Sequence, residues 1–340
     1  MFLSPKQMEP TYILAGQLRR DYLLPPAGRP LIDVPGGNLL YAAAGLGIWD
    51  NSLGLLARVG EDYPDEWLRS FENRGWDRRG IHILPGALDL RYFHARLDPQ
   101  TFQRTNPVIH FARMNLPFPK SLLGYQPADN KDDRKSTHPT SPRPLDIPAD
   151  YLNAHAAHIC PMDFLTGGRL LSTFRQANVT FLTLDPSAAY MTGAAFEDVR
   201  TLLHGLTAFL PCEEDLRALF WGRTDDLWQM AEELGRFGCE YIVIKRGASG
   251  QMLYDATTKK RWEIPAYPSR LEDLSGAGDS FCGGFLAGYQ KTFDPLRAAL
   301  YGNISASLTV EGCGAFHALE ALPGLAQARL ESLSGLVRQV

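Results

Sequence analysis

Apolar runs rich in β-branched and aromatic residues recur along the chain, each followed by a stretch with helical periodicity. TYILAG (11–16), VTFLTLD (179–185), LTAFLP (206–211) and EYIVIKRG (240–247) are the clearest of them. Strands spaced by helices imply a largely parallel sheet with helices on both faces, an α/β fold. The apolar segment FCGGFLAGYQ (281–290) reads as a buried helix. ARLDPQTFQRTNPVIHFARM (95–114) has strand and turn signals with little helical character, and predicts a separate small β-layer. QPADNKDDRKSTHPTSPRPLDIP (126–148) is rich in Pro, Ser and charge and almost devoid of apolar residues. It predicts a mobile insertion that buries little.

Composition narrows the partners. With 340 residues, 45% of them hydrophobic, the chain can bury a large core. The five cysteines are scattered and odd in number, with no C-x-x-C pair, so reduced thiols in a cytoplasmic protein are expected. MFLSPKQMEP has no basic start followed by an apolar stretch, and no run of about 18 apolar residues occurs, so neither a secretory leader nor a membrane span is expected. A net charge of −4 with acids and bases interleaved lacks the electrostatic footprint of a nucleic-acid binder. A small-molecule partner is the expectation, with monomer and dimer both open.

The stretch DLSGAGDSF (273–281) places three residues without bulk between two carboxylates, directly before the apolar segment. Gly276, Ala277 and Gly278 can bring their backbone close to a ligand. If a helix starts near Asp279, their N–H groups and the positive end of the helix dipole make an anion site that suits a phosphate. The plainer reading is a helix start capped by Asp279. No G-x-x-x-x-G-K-[ST] is present, and no G-x-G-x-x-G follows a strand, so the two common nucleotide cradles are absent. A different phosphate chemistry remains, in which Asp279 is the general base beside the anion hole.

In these residues the chain resembles the pfkB family of carbohydrate kinases, which includes ribokinase and adenosine kinase. DLSGAGDSF matches the family's C-terminal signature, with Leu274 in place of the usual Thr or Ser, and PGGNLLYAAAGLG (35–47) followed by LLARVGED (55–62) resembles the N-terminal one. TYILAGQLRRD, LTLDPS (183–187 for its last five residues), EYIVIKRGASGQMLY and ALYGNISASLTVEGCGA (299–315) resemble further family segments between and after them. The resemblance implies a ribokinase-like, Rossmann-like sheet in a single domain spanning 1–340, with a small β-lid built from segments near 17–34 and 88–112. It also implies transfer of the ATP γ-phosphate to a hydroxymethyl group of a sugar or nucleoside, with Mg2+ and a monovalent cation such as K+.

Site residues follow from the same resemblance. Asp279 is the implied base, with Gly276, Ala277 and Gly278 as anion hole; Asp21, Gly37 and Asn38 are the implied polyol-binding set. Lys245, Gly247, Gly250 and Asn303 are implied on the nucleotide side, Asp273 at the monovalent cation and Asp215 at the magnesium. The family's N-x-x-E is altered here: Cys212 and Asp215, in PCEED, take its place, and Lys245 and Arg246 replace a small polar residue. A thiol cannot reproduce an amide's hydrogen bonds. A catalytically weakened nucleotide- or metabolite-binding protein acting through a partner is therefore the alternative to an active kinase. HAAH (155–158) could pair two imidazoles for a metal only on a helix, and a structural role is expected instead. Cys282, inside the apolar segment, is expected to be a buried inert thiol.

Overall fold

In strand β1 (Tyr12–Ala15) all four side chains are buried, Ile13 and Ala15 in the apolar cluster on one face and Tyr12 and Leu14 in that on the other. Successive strand residues point to opposite faces, so a run that is apolar throughout requires cover on both sides. The computed structural model, which describes residues 9–26, 28–98, 101–128 and 131–340, supplies that cover. The remaining strands are β2 (Arg19–Leu24), β3 (Leu31–Gly36), β4 (Leu53–Gly60), β5 (Asp77–Leu84), β6 (Arg91–Arg96), β7 (Phe102–Gln103) and β8 (Ala156–Ile159). They continue with β9 (Phe181–Leu184), β10 (Ala208–Phe209), β11 (Tyr241–Lys245), β12 (Gln251–Asp255), β13 (Arg261–Ile264) and β14 (Arg338–Gln339). The large sheet runs β14-β13-β12-β11-β10-β9-β8-β1-β4-β5. It is parallel from β11 to β5 and antiparallel from β11 outward to β14.

The helices are α1 (Asn38–Gly47), α2 (Asp65–Asn73), α3 (Pro107–Arg113), α4 (Phe164–Gln176) and α5 (Phe196–Leu203). After them come α6 (Glu213–Leu219), α7 (Leu227–Gly235), α8 (Ala277–Thr292), α9 (Pro295–Thr309) and α10 (Leu325–Ser334). Buried side chains of α4 to α7 share one cluster with one face of the sheet, while those of α1, α2, α8, α9 and α10 cover the other. The fold is the expected ribokinase-like α/β arrangement. Helix α8 lies between α1 and α9, and its glycines explain the spacing of FCGGF. A Cβ on Gly283 would come within 1.9 Å of the Ala42 carbonyl on α1, and one on Gly284 within 2.3 Å of Ser305 Oγ on α9. Among the described residues no helix is long and apolar enough to cross a membrane.

A second sheet, β3-β2-β6-β7, takes its strands from 19–36 and 91–103. It has a small core of its own: Tyr22, Leu24, Phe93, Ala95, Phe111, Leu122 and Tyr125. The 95–114 stretch differs from its expectation in one respect, because α3 is helical. Pro107 opens that helix after Asn106 at φ 51, and Phe111 packs on Phe93 with ring centroids 6.2 Å apart. Seven residues are too few for a helical period to stand out in sequence.

The polar stretch 126–148 also differs from the excursion expected of it, Asp129 and Asn130 lying outside the described residues. Asp132 Oδ2 accepts the Phe164 N–H at 2.6 Å at the start of α4, and Arg134 pairs with Asp198 of α5 at 2.5 Å. Asp146 forms a two-pronged pair with Arg58 of β4, at 2.6 and 2.9 Å, in which both side chains are less than a tenth exposed. Thr140, Ser141 and Pro142 are buried. The charges of this segment are used on partners in the body of the protein, so low apolar content does not translate into freedom.

Candidate active site

Strand β1 has β4 on one side and β8 on the other, so the chain turns in opposite directions from neighbouring strands and opens a crevice at their carboxyl ends. Two cavities lie there, of about 320 and 770 Å3, and they share Arg19, Asn38, Tyr92, Arg104 and Pro161 in their walls. Residues just past β1, β8, β9 and β10, with Lys245 at the end of β11, supply much of the lining.

Helix α8 starts at Ala277, two residues before the expected position. Gly276, its N-cap, has φ 71, and a Cβ there would stand 2.0 Å from the Tyr41 ring, so both backbone and space require glycine. Ala277 N–H closes a 3.3 Å turn onto the Leu274 carbonyl, and Ser280 N–H bonds the Gly276 carbonyl at 2.8 Å. The N–H groups of Gly276, Gly278 and Asp279 have no acceptor among the described residues. Such orphan donors at a helix start are what an anion uses. Of the expected trio, Ala277 is the one already engaged. Asp279 lines the smaller cavity, half-buried. Burial first, then the charge of Asp185, lifts its carboxyl to about 7 against the pull of Lys245 and Arg19.

Asp21, Gly37 and Asn38 line the same smaller cavity. Asp21 sits on β2 beside a bulge, where Asp33 at φ 55 interrupts the pairing with β3. A Cβ on Gly36 would lie 1.8 Å from Asp21 Oδ2, so that glycine makes room for the carboxylate. Burial lifts Asp21 to about 7, opposed by Arg19 and the Gly37 amide, and its Oδ1 has no partner. Asn38 Oδ1 accepts the Gln17 N–H at 2.8 Å and its Nδ2 donates to the Pro161 carbonyl at 2.6 Å. It thereby fixes the two loops that follow β1 and β8.

The larger cavity holds Lys245, Asp185, Cys212 and Asp215. Lys245 Nζ lies 2.5 Å from Asp185 Oδ2 and 3.5 Å from Cys282 Sγ. Although burial opposes it, Asp185 keeps the Lys245 ammonium firmly charged. Cys212 is the N-cap of α6, and its thiol donates to Asp215 Oδ2 at 2.9 Å. Burial raises both Asp185 and Asp215 above the usual carboxylate range, and the charge of Asp215 raises Asp185 further. Asp185 is matched by the Lys245 ammonium, whereas Asp215, bonded only by a thiol at Oδ2, is the carboxylate facing this cavity that fits a hard divalent cation that also takes phosphate oxygens. Among the described residues no three His, Cys, Asp or Glu side chains converge into an all-protein metal cage.

The remaining candidates lie outside both cavity linings, and among them HAAH and Cys282 take the structural roles expected of them. Asn303 does not line either cavity: buried, it donates to Gln251 Oε1 at 2.7 Å and the Pro265 carbonyl at 2.8 Å, and accepts the Tyr267 N–H at 2.9 Å. Its amide is consumed in joining α9 to β12 and the loop after β13. Gly247 and Gly250, at φ 53 and 80, shape the turn that follows Lys245 and also stand outside both linings. Asp273 does not fit a monovalent cation, because Arg96 of β6 occupies its Oδ1 at 2.5 Å with Ser275 N–H at 2.9 Å, and Cys313 Sγ stands 3.4 Å from Oδ2. HAAH is a strand start rather than a helix, with buried His158 bonded to Thr183 Oγ1 at 2.9 Å. Cys282 is fully buried, and burial pushes its thiol well up.

Arg19, Tyr41, His94, Arg96, Arg104 and Asp185 line the cavities without having been singled out for a role. Only Asp185 carried a signal, the Asp-Pro at a strand end.

The pfkB-family carbohydrate-kinase model matches residues 146–322, just over half of the chain. A cytidine kinase of Thermococcus kodakarensis is 26% identical over 279 residues, which cover 82% of this chain and 88% of that one. A 5-dehydro-2-deoxygluconokinase of Geobacillus kaustophilus is 24% identical, covering 96% and 95%. Among solved structures, an E. coli protein assigned to ribokinase II and crystallised with ATP and Mg2+ superposes with a TM-score of 0.68 at 17% identity, covering 95% and 99%.

Proposed function

The chain belongs to the pfkB family of carbohydrate kinases, and on that premise we propose that it transfers the γ-phosphate of ATP to a hydroxymethyl group of a sugar or nucleoside. The observation that carries this reading is the coincidence at one helix start of an ionisable, half-buried Asp279 with acceptor-free N–H groups on Gly276, Gly278 and Asp279. The acceptor binds in the smaller cavity, oriented by Asp21 and Asn38, and the nucleotide phosphates approach from the larger one beside Lys245. Asp279 takes the proton of the acceptor hydroxyl, the oxygen attacks the γ-phosphorus, and ADP leaves. The free N–H groups hold the charge that gathers on the transferring phosphoryl oxygens. Asp215 would hold the Mg2+, which when bound neutralises phosphate charge. No step is assigned to a monovalent cation. The four-stranded sheet acts as a lid whose closure excludes water from the reacting phosphate.

The alternative, a weakened kinase that works as a nucleotide-binding protein, draws support from the Cys212 thiol bonded to Asp215. The deciding experiment measures ADP formation with pentoses, hexoses, sugar acids, sugar phosphates and nucleosides as acceptors. Acceptor-dependent ADP with one compound class supports the kinase, and ATP binding without any such turnover supports the alternative.

A further inference from the structure

Three arginines line the smaller cavity, and their surroundings differ. Arg96 is neutralised by Asp273 at 2.5 Å. Arg19 and Arg104 flank Tyr92, their guanidinium carbons 4.5 and 5.0 Å from its ring centroid, and neither has a carboxylate within 4.0 Å among the described residues. The side chain of Arg19 makes one hydrogen bond, to Gln17 Oε1 at 3.3 Å, and Arg104 Nε is buried with no partner. Several other part-buried arginines are matched, Arg20 with Asp33, Arg58 with Asp146, Arg91 with Asp89 and Arg329 with Glu311, while Arg175 and Arg246, outside both cavity linings, bond only carbonyl oxygens.

Resting on the kinase reading above, we propose that the acceptor is an anionic polyol, whose carboxylate or phosphate group is bound by Arg104 and Arg19 while its hydroxyl faces Asp279. Before nucleotide binds, a neutral acceptor would leave the Arg104 guanidinium in the cavity wall with no carboxylate within 4.0 Å among the described residues, and an unmatched charge is costly once water is excluded. A planar fork of N–H donors suits carboxylate and phosphate alike. Both arginines stand on the wall that the two cavities share, and Arg104 also lies against Phe102, its guanidinium carbon 5.2 Å from that ring centroid. His94 adds no charge there: burial and then Arg96 hold its imidazole down to about 4, and its Nδ1 is engaged by Ser275 Oγ at 3.0 Å.

The test is calorimetric binding to the full chain without nucleotide, using gluconate beside glucose, fructose 1-phosphate beside fructose, and cytidine, followed by ADP formation with the same compounds. At least one anion is expected to bind about 10-fold or more tighter than its uncharged parent, and the gluconate and fructose 1-phosphate arms tell a carboxylate from a phosphate. Arg104→Met should abolish that preference, raising KM for the anion with kcat little changed, while Arg104→Lys retains part of it. Thermal denaturation of the variants separates this from loss of fold. The proposal is overturned if neither anion binds, if an uncharged sugar or cytidine is bound and phosphorylated as well as either anion, or if Arg104→Met leaves anion affinity intact. Anion binding through Arg104 with ADP formed only from an uncharged compound overturns this proposal, whereas no ADP with any acceptor overturns the kinase reading instead.

Discussion

Arg96 and Asp273, 177 residues apart in sequence, meet at 2.5 Å with side chains 5% and 3% exposed. The pair links β6 of the small sheet to the turn that opens α8. Burial raises the Asp273 carboxyl, but the Ser275 amide and Arg96 together hold it below its ordinary value. Removing one partner leaves the other charge buried, so Arg96→Met should cost about 3–5 kcal/mol in urea denaturation. Arg96→Met with Asp273→Asn should recover most of that loss. A single variant as stable as the parent would show that water reaches the carboxylate.

The same ion pair bears on cation requirements. A guanidinium already neutralises Asp273, so phosphoryl transfer should proceed at the same rate in K+, Na+ and tetramethylammonium salts. Stimulation by K+ in the parent would mean that Arg96 leaves the carboxylate during turnover.

Asp279→Asn preserves shape and backbone donors but cannot accept a proton. Transfer should fall by about 10²- to 10⁴-fold with ATP affinity little changed, checked by calorimetry and steady-state rates. Because the folded protein holds the Asp279 proton up to about 7, transfer in the parent should rise as pH passes through that value. Stability has the opposite sign. Asp21 and Asp279 lose their protons near 3.8 when unfolded but near 7 when folded, so the folded state binds more protons in between. Their contribution is full below about 3.8 and declines as pH rises through about 7. A melting temperature that these two groups push upward over that interval would contradict the burial argument, and Asp21→Asn with Asp279→Asn isolates their share.

The Cys212 thiol occupies one oxygen of Asp215. Cys212→Asn with Asp215→Glu restores an amide and a longer carboxylate, and should lower the Mg2+ concentration needed for half-maximal rate or raise turnover. Unchanged magnesium dependence would remove these residues from the metal side.

Deletion of Lys131 to Pro142 removes the Arg134–Asp198 pair, the Asp132 bond to the start of α4 and three buried residues. A loss of about 2 kcal/mol or more is expected, since each unsatisfied or unpaired group left behind costs about 1–3 kcal/mol. Equal stability of the deletion variant would restore the reading of this stretch as a free excursion.

Strand-and-helix alternation, the burial of FCGGFLAGYQ and the candidate base are legible in the sequence. Each is local: a continuous apolar run requires cover on both faces wherever it lies, and Gly276 opens α8 in the left-handed conformation that glycine adopts without strain. Tertiary structure alone decided the partners of the charges. Nothing near Arg96 in sequence points to Asp273, nothing near Asn303 shows that its amide is spent on Gln251 and Pro265, and the composition of 126–148 conceals the pairs it makes. Those outcomes depend on which strands lie side by side and which way each side chain leaves its strand, and an ion pair forms only where folding brings opposite charges within about 4 Å while water is excluded around them.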